Sequence, residues 1–208
     1  RVGYLPEERG LYKDLKVIDA LVYLGQLKGV AEATARRNAT AWLERVELQD
    51  WGKHKVKDLS RGMQQKVQFV ASLVHDPELL ILDEPFQGLD PVNVELLKKL
   101  IRELQAAGKT VVLSAHQMNL VEELCDRILL VNQGRRVLYG NLAEVRRRFS
   151  GHEVLVQTSD PRPEILASVP GVAEVSSHNG SIKLRLDDDT SPNQVLRALL
   201  AADVDVHY

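Results

Sequence analysis

Several things are scarce in this chain, and each shortage narrows what it can be. It holds one cysteine, Cys125, in 208 residues. No internal disulfide can form, and the lone thiol reads as a core residue in a reducing compartment. No apolar run approaches the roughly 18–20 residues that a membrane-spanning helix needs, so a role at a membrane has to come through a partner. Neither sign of charge dominates: 27 basic against 29 acidic residues leave a formal charge of −2, which supplies no field to steer nucleic acid. No G-x-x-x-x-G-K-[ST] occurs, so the loop that cradles the β- and γ-phosphates of a nucleotide is missing from this sequence. The rest is ordinary. With 44% apolar and 27% charged residues the chain can build a core, and disorder is not indicated. Its length leaves room for one large domain, or a medium one and a small one.

What is present centres on Leu79-Leu80-Ile81-Leu82-Asp83-Glu84-Pro85, followed at once by Gly88-Leu89-Asp90-Pro91. Four apolar residues in a row read as a strand buried on both faces of a parallel sheet. Two carboxylates stand where that strand emerges, at the edge where open α/β sheets bind ligands. Side chains alternate along a strand, so Asp83 and Glu84 can hold separate jobs. One can anchor a hard cation such as Mg2+ through oxygen, and the other can orient a water for attack on phosphorus. A solvated acidic turn is the plainer alternative.

Two further features bear on that choice. Leu59-Ser60-Arg61-Gly62-Met63-Gln64-Gln65-Lys66 opens the amphipathic run Val67, Val70, Ala71, Val74. Ser60 and Gly62 put a hydroxyl and free N–H groups on the positive end of a helix, which favours phosphate; simple N-capping by Ser60 is the competing reading. Thr110–Ala115 reads as a second buried strand, and His116 should leave the sheet at the same edge as Glu84.

Together these residues resemble the ATP-binding cassette (ABC) ATPases. The run ending in Asp83-Glu84-Pro85 is similar to a Walker B strand with its catalytic glutamate, and Gly88-Leu89-Asp90 to the D-loop. Leu59–Lys66 resembles the ABC signature and His116 the switch histidine. Gly3-Tyr4-Leu5-Pro6-Glu7 resembles the Q-loop strand, with Glu7 where the family usually has glutamine. The stretch from Leu5 to Tyr12 is most similar to the export-type branch, whose members pair with membrane permeases. Because the family's Walker A lies upstream of the Q-loop, the chain reads as the C-terminal part of a longer ATPase, inactive alone.

The resemblance implies an α/β P-loop NTPase-like cassette, partial, over residues 1–149, with a helical subdomain at about 13–75 that receives the permease. Punctuation agrees: a helix over Leu15–Leu27 ends at Gly29, and a second runs through Val46. Asp90-Pro91 starts a helix that Gly108 stops. A short helix from about Asn119 to Cys125 precedes strands at Ile128–Val131 and Val137–Tyr139, joined by Gln133-Gly134. Arg146-Arg147-Arg148 ends another helix, as solvated charge more readily than as a phospholipid contact. Beyond Ser150-Gly151 a β-α-β-β-α-β order emerges: Val154–Val156, Arg162–Val169, Val172–Ser177 and Ile182–Leu186 as a hairpin about Asn179-Gly180, Ser191–Leu200 and Val204–Val206. Residues 150–208 then form a small ferredoxin-like α+β domain, similar to the extension found on many export-type subunits. Dimer support is its expected task, ligand sensing the second.

The same resemblance implies the chemistry. Two ATPase subunits pair head to tail, each ATP lying between one subunit's Walker A and the other's signature. Asp83 and Glu7 serve Mg2+, Glu84 polarises the attacking water, and His116 contacts the γ-phosphate. Ser60, Arg61, Gly62 and Met63 face the partner's nucleotide, and Asp90 connects the two sites. Arg61 stands where the family has glycine, which costs about 1 kcal/mol or more if that position demands a positive φ. Closure and reopening of the dimer would drive a permease on the inner face of the cell membrane. The rivals are a soluble ABC ATPase of DNA repair or translation and a non-catalytic interaction or regulatory subunit.

Overall fold

The computed structural model describes residues 1–8, 10–149, 153–156, 166–178, 181–187, 190 and 192–201. Its contacts divide the chain into two compact units, Arg1–Leu124 and Cys125–Tyr208.

In the first unit, β1 (Val2–Leu5), β2 (Leu79–Asp83) and β3 (Thr110–Ser114) form a parallel sheet in that order. The register sets Leu5, Leu82 and Leu113 in one row and Tyr4, Ile81 and Val112 in the row before it. Leu5, Leu80 and Leu82 are buried in the core with Phe69, Val70 and Leu97. The other face does not match the expectation of a strand buried on both sides. Tyr4 is 53% exposed, Val112 52% and Ile81 36%. A continuous apolar run fixes that both faces accept apolar side chains, not that both are covered.

Three α-helices precede β2 among the described residues. α1 (Val17–Leu27) buries Val17, Ala20, Leu21 and Gly25, a stripe at helical spacing. α2 (Glu32–Arg45) presents Ala35, Ala39 and Leu43 at intervals of four. Small residues let these two approach closely: a Cβ added to Gly25 would lie 2.9 Å from the Ala35 Cβ. α3 (Arg61–Ala71) buries its whole length from Gln65 to Val70. β1 lies against the chain just beyond it, where a Cβ on Gly3 would come within 2.2 Å of the Ser72 carbonyl oxygen. Only glycine fits there. After β2, α4 (Pro91–Ala106) starts on Asp90, whose Oδ1 accepts from the Asn93 N–H at 2.9 Å. α5 (Met118–Leu124) closes the unit, and its Glu123 pairs with the buried Lys98 and with Arg102 of α4.

In the second unit, β4 (Arg127–Asn132) and β5 (Arg135–Asn141) form an antiparallel hairpin. Gln133 and Gly134 both have positive φ, 48° and 70°, the mirror-image turn that matches strand twist. α6 (Leu142–Phe149) follows, so the expected basic triplet does sit at a helix end. β6 (Glu153–Val156), β7 (Val172–His178) and β8 (Ser181–Leu186) make an antiparallel sheet in the order β6-β8-β7, and α7 (Pro192–Ala201) comes next. Val156, Leu166, Ile182, Leu184 and Val195 are among the residues of a separate apolar core. The expected final strand at 204–206, the Asn179-Gly180 turn and Ser191 lie outside the described residues. Cys125 is half-buried instead of lying in a core, and burial pushes its thiol pKa up.

Candidate functional site

The carboxyl ends of β2 and β3 gather the acids and the histidine. Asp83 stands opposite Ser114 in the register, and the Ser114 hydroxyl donates to Asp83 Oδ1. The same hydroxyl oxygen accepts from the Glu84 N–H at 3.2 Å, as does the Ser114 carbonyl. Ser114 therefore fixes both acidic residues from the neighbouring strand. Glu84 leaves the strand with φ +46°, a left-handed conformation that costs a non-glycine residue on the order of 1 kcal/mol or more. That turn re-aims its carboxylate, and Oε1 lies 2.9 Å from Nδ1 of His116. His116 is 73% exposed and the Glu84 side chain 21%, so the imidazole faces solvent while the carboxylate is sheltered.

The start of α3 forms a second group. The Ser60 Oγ accepts from the Met63 N–H at 3.2 Å, capping the helix, so the plainer reading of Ser60 is realised in the chain alone. Arg61 takes no positive φ; as the first residue of α3 it avoids the strain weighed for a glycine position. Gly62 packs against the turn before α4: a Cβ added to it would lie 3.4 Å from the Gly88 carbonyl oxygen and 3.5 Å from Leu89 Cδ2. Hydrogen bonds from Asn93 hold the Asp90 carboxyl below its ordinary pKa. Burial pushes the Lys66 ammonium pKa down, opposed by Glu47 and Asp90.

Three amide side chains of α3 tie these loops together, and the sequence reading missed them. Gln64 donates to the carbonyls of Val56 (3.2 Å) and Leu59 (3.0 Å), fixing the segment before Ser60. Gln65 donates to Pro85 O at 3.1 Å and, more loosely, to Glu84 O at 3.5 Å. Gln68 donates to Pro6 O at 3.0 Å and Glu8 O at 3.1 Å, on either side of the exposed Glu7. Gln65 and Gln68 are buried, and the Gln68 Oε1 has no partner. An orphaned buried acceptor costs about 1–3 kcal/mol, so the amide is held there by its two donated bonds. Their legible signal was amides on the inward face of an amphipathic helix.

Metal binding has only a partial protein ligand set. Among the described residues no three His, Cys, Asp or Glu side chains gather to hold an ion by themselves. One or two carboxylates at a sheet edge suit Mg2+, which takes its remaining ligands from phosphate and water, better than a caged ion.

Comparison with known proteins fits this geometry. The ABC transporter family model matches residues 1–87. A model for the C-terminal domain of DrrA1-3-like ATP-binding proteins matches residues 140–208. An uncharacterized ABC transporter ATP-binding protein of Alkalihalophilus pseudofirmus is 45% identical over 90% of this chain and 70% of its own length. This chain belongs to the ABC transporter ATP-binding proteins. The linearmycin resistance ATP-binding protein LnrL of Bacillus subtilis is 30% identical over all of this chain and 68% of its own. Among solved structures, an ATP-binding subunit of an ABC transporter aligns with a TM-score of 0.66 and 32% identity, over 72% of this chain and 62% of that one. The cassette MJ0796, solved as a dimer in a post-hydrolysis state with ADP and Pi, aligns at 0.62 and 25% identity, over 68% and 63%. The chain thus covers less than two thirds of either solved chain. The matches lend no support to the DNA-repair or translation reading.

Proposed function

We propose that this ABC chain supplies the catalytic carboxylate and the signature half of an ATPase that drives export through a membrane permease. The observation that carries the reading is the pair of contacts at one sheet edge, Ser114 to Asp83 and His116 to Glu84. An acid oriented by an exposed imidazole is suited to polarise a water beside a γ-phosphate, and general-base help of this kind contributes about 10²–10⁴ in rate. Asp83, with Glu7, would hold Mg2+, which when bound neutralises charge on the phosphates. His116 lies exposed where it would contact the γ-phosphate while its Nδ1 keeps Glu84 in position.

Ser60, Arg61, Gly62 and Met63 would face a nucleotide held by a second subunit, as anions are favoured at a helix N-terminus. The dimer of MJ0796 supports that arrangement by likeness. Asp90 starts α4 on the turn packed against Gly62 and would connect the two sites. Among the described residues no helix is long and apolar enough to cross a membrane. The permease would supply the membrane location and the specificity, with α1 and α2 as its docking part. Residues 1–149 would act as the cassette portion and 150–208 as an accessory domain that supports the dimer.

The chain as it stands should not hydrolyse ATP, because it contributes no P-loop lysine or phosphate cradle of its own. The test compares it with a version extended by the P-loop segment of a relative. The extended protein should turn over ATP, and Glu84→Gln should lower turnover about 10²–10⁴-fold while an ATP-bound dimer accumulates. Wild-type turnover in that variant would remove Glu84 from the role of base.

A further inference from the structure

Gln68 belongs to none of the motifs read from the sequence, yet it is one of few buried polar side chains in the unit, at 4% exposure. Its Nε2 reaches two carbonyls, Pro6 O and Glu8 O, that bracket Glu7 and no other residue. Both acceptors are oxygens, so the nitrogen must face them; an amide turned the other way would set oxygen against oxygen. The leftover Oε1 is buried without a donor. An apolar side chain of the same size would remove that orphaned acceptor but release both carbonyls, so what the amide secures is the course of the main chain around Glu7. Gln68 also sits two turns into α3, the helix that begins at Ser60 and Gly62. Its neighbour Gln65 grips the turn after Glu84 in the same manner.

We propose that Gln68 is a positioning residue for Glu7: its amide clamps the main chain on both sides of Glu7, presents that carboxylate to the Mg2+ of bound ATP, and ties the loop to the signature helix. This rests on the reading of Glu7 as a cation ligand. Groups that orient a metal ligand without touching the metal shift metal affinity about 10–100-fold. The clamp has a directional consequence. Any movement of α3 on engagement of a second subunit is carried to the Glu7 loop through two main-chain bonds.

The variant that separates positioning from packing is Gln68→Met, which keeps length and volume but cannot donate; Gln68→Glu, which keeps the shape but can donate at most one proton where the amide donates two, serves as the second. Amide hydrogen exchange is measured on the chain itself. The magnesium concentration giving half-maximal ATP turnover is measured on the extended protein, alone and combined with Glu7→Ala. For Gln68→Met we expect unfolding near the wild-type temperature and exchange about tenfold faster only at the β1 amides that lead into Glu7. The magnesium requirement should rise about tenfold. Glu7→Ala should raise it as well, and the double variant no further than Glu7→Ala alone. Unchanged exchange and magnesium requirement would overturn the proposal, as would fully additive effects of the two substitutions. Faster exchange throughout the unit, or failure of both Gln68 variants to fold, would make Gln68 a packing residue and also overturn it. If Glu7→Ala leaves the magnesium requirement unchanged, the cation reading of Glu7 fails first, and the proposal with it.

Discussion

The two units bury very different material. In the first, Gln65, Lys66, Gln68, Ser72, His75 and Lys98 are all buried, along α3, its exit and α4. In the second, the described core is Val156, Leu166, Val169, Ile182, Leu184, Leu186 and Val195, without a polar member. On the exposed face of its sheet Glu174 pairs with Arg185 at 2.9 Å. Burying a polar group costs free energy unless it is bonded, so the first unit carries an expense that does not arise among the described residues of the second. The contacts say what that expense secures. Gln65 and Gln68 bond to main chain beside Glu84 and Glu7, the residues to which the chemistry is assigned. The described core of the second unit, apolar throughout, need only persist.

The largest effect that could break this contrast is expected at Gly62. A Cβ there just fits against Gly88 and Leu89, so the carboxylate of Gly62→Asp must project outward, toward the place assigned to the partner's γ-phosphate. The extended protein with Gly62→Asp should bind ATP nearly as the wild type does, yet neither dimerise nor turn over. Sedimentation with ATP, beside a nucleotide titration, reads both halves. ATP-driven dimerisation in this variant would leave Ser60 as a helix cap and nothing more.

A core substitution in the second unit should do the opposite. Leu184 is fully buried in the apolar core, and truncating such a leucine costs about 2–5 kcal/mol. Leu184→Ala should therefore lower or abolish the unfolding transition of the C-terminal unit, followed by calorimetry. Turnover per ATP-bound dimer in the extended protein should persist at temperatures where that unit is lost. A fall in turnover per dimer would mean that the second unit reaches the chemistry, and the contrast would fail.

How much of this was legible in the sequence follows the same division. Asp83, Glu84 and His116 could be read because strand ends are announced by apolar runs, and a run fixes where the next residue emerges. Ser60 and Asp90 could be read because caps are local. The hairpin at Gln133-Gly134 and the β7–β8 pairing were legible for the same reason. The exposed row of Tyr4, Ile81 and Val112 was not, because covering a face is a property of what packs on it. The left-handed turn at Glu84 was hidden as well, since the next residue, Pro85, speaks against α but not for positive φ. Gln68 was hidden because its partners lie 60 and 62 residues away. No periodicity announces a bond to a distant carbonyl.

The smallest expected effect lies at His75, and it sharpens the contrast through pH. His75 is 3% exposed; its Nε2 donates to Val2 O at 3.0 Å, and Nδ1 is buried without a partner. Burial pushes its pKa below the ordinary histidine value, against the opposing pull of the Val2 carbonyl, with Lys28 and Arg1 adding to the depression. The unfolded chain therefore takes up the proton first. Stability is whole above the unfolded pKa of about 6.5 and is lost progressively as pH falls from there toward the depressed folded value. Because the ring anchors the start of β1, the loss should fall on the strand that leads to Glu7. Thermal unfolding of the first unit between pH 7.5 and 5.5 should show a falling midpoint that His75→Gln makes less steep. The second unit's midpoint should not respond to that substitution. An equal slope in wild type and variant would mean that some other group titrates, and that His75 takes up its proton as readily in the folded chain as in the unfolded one.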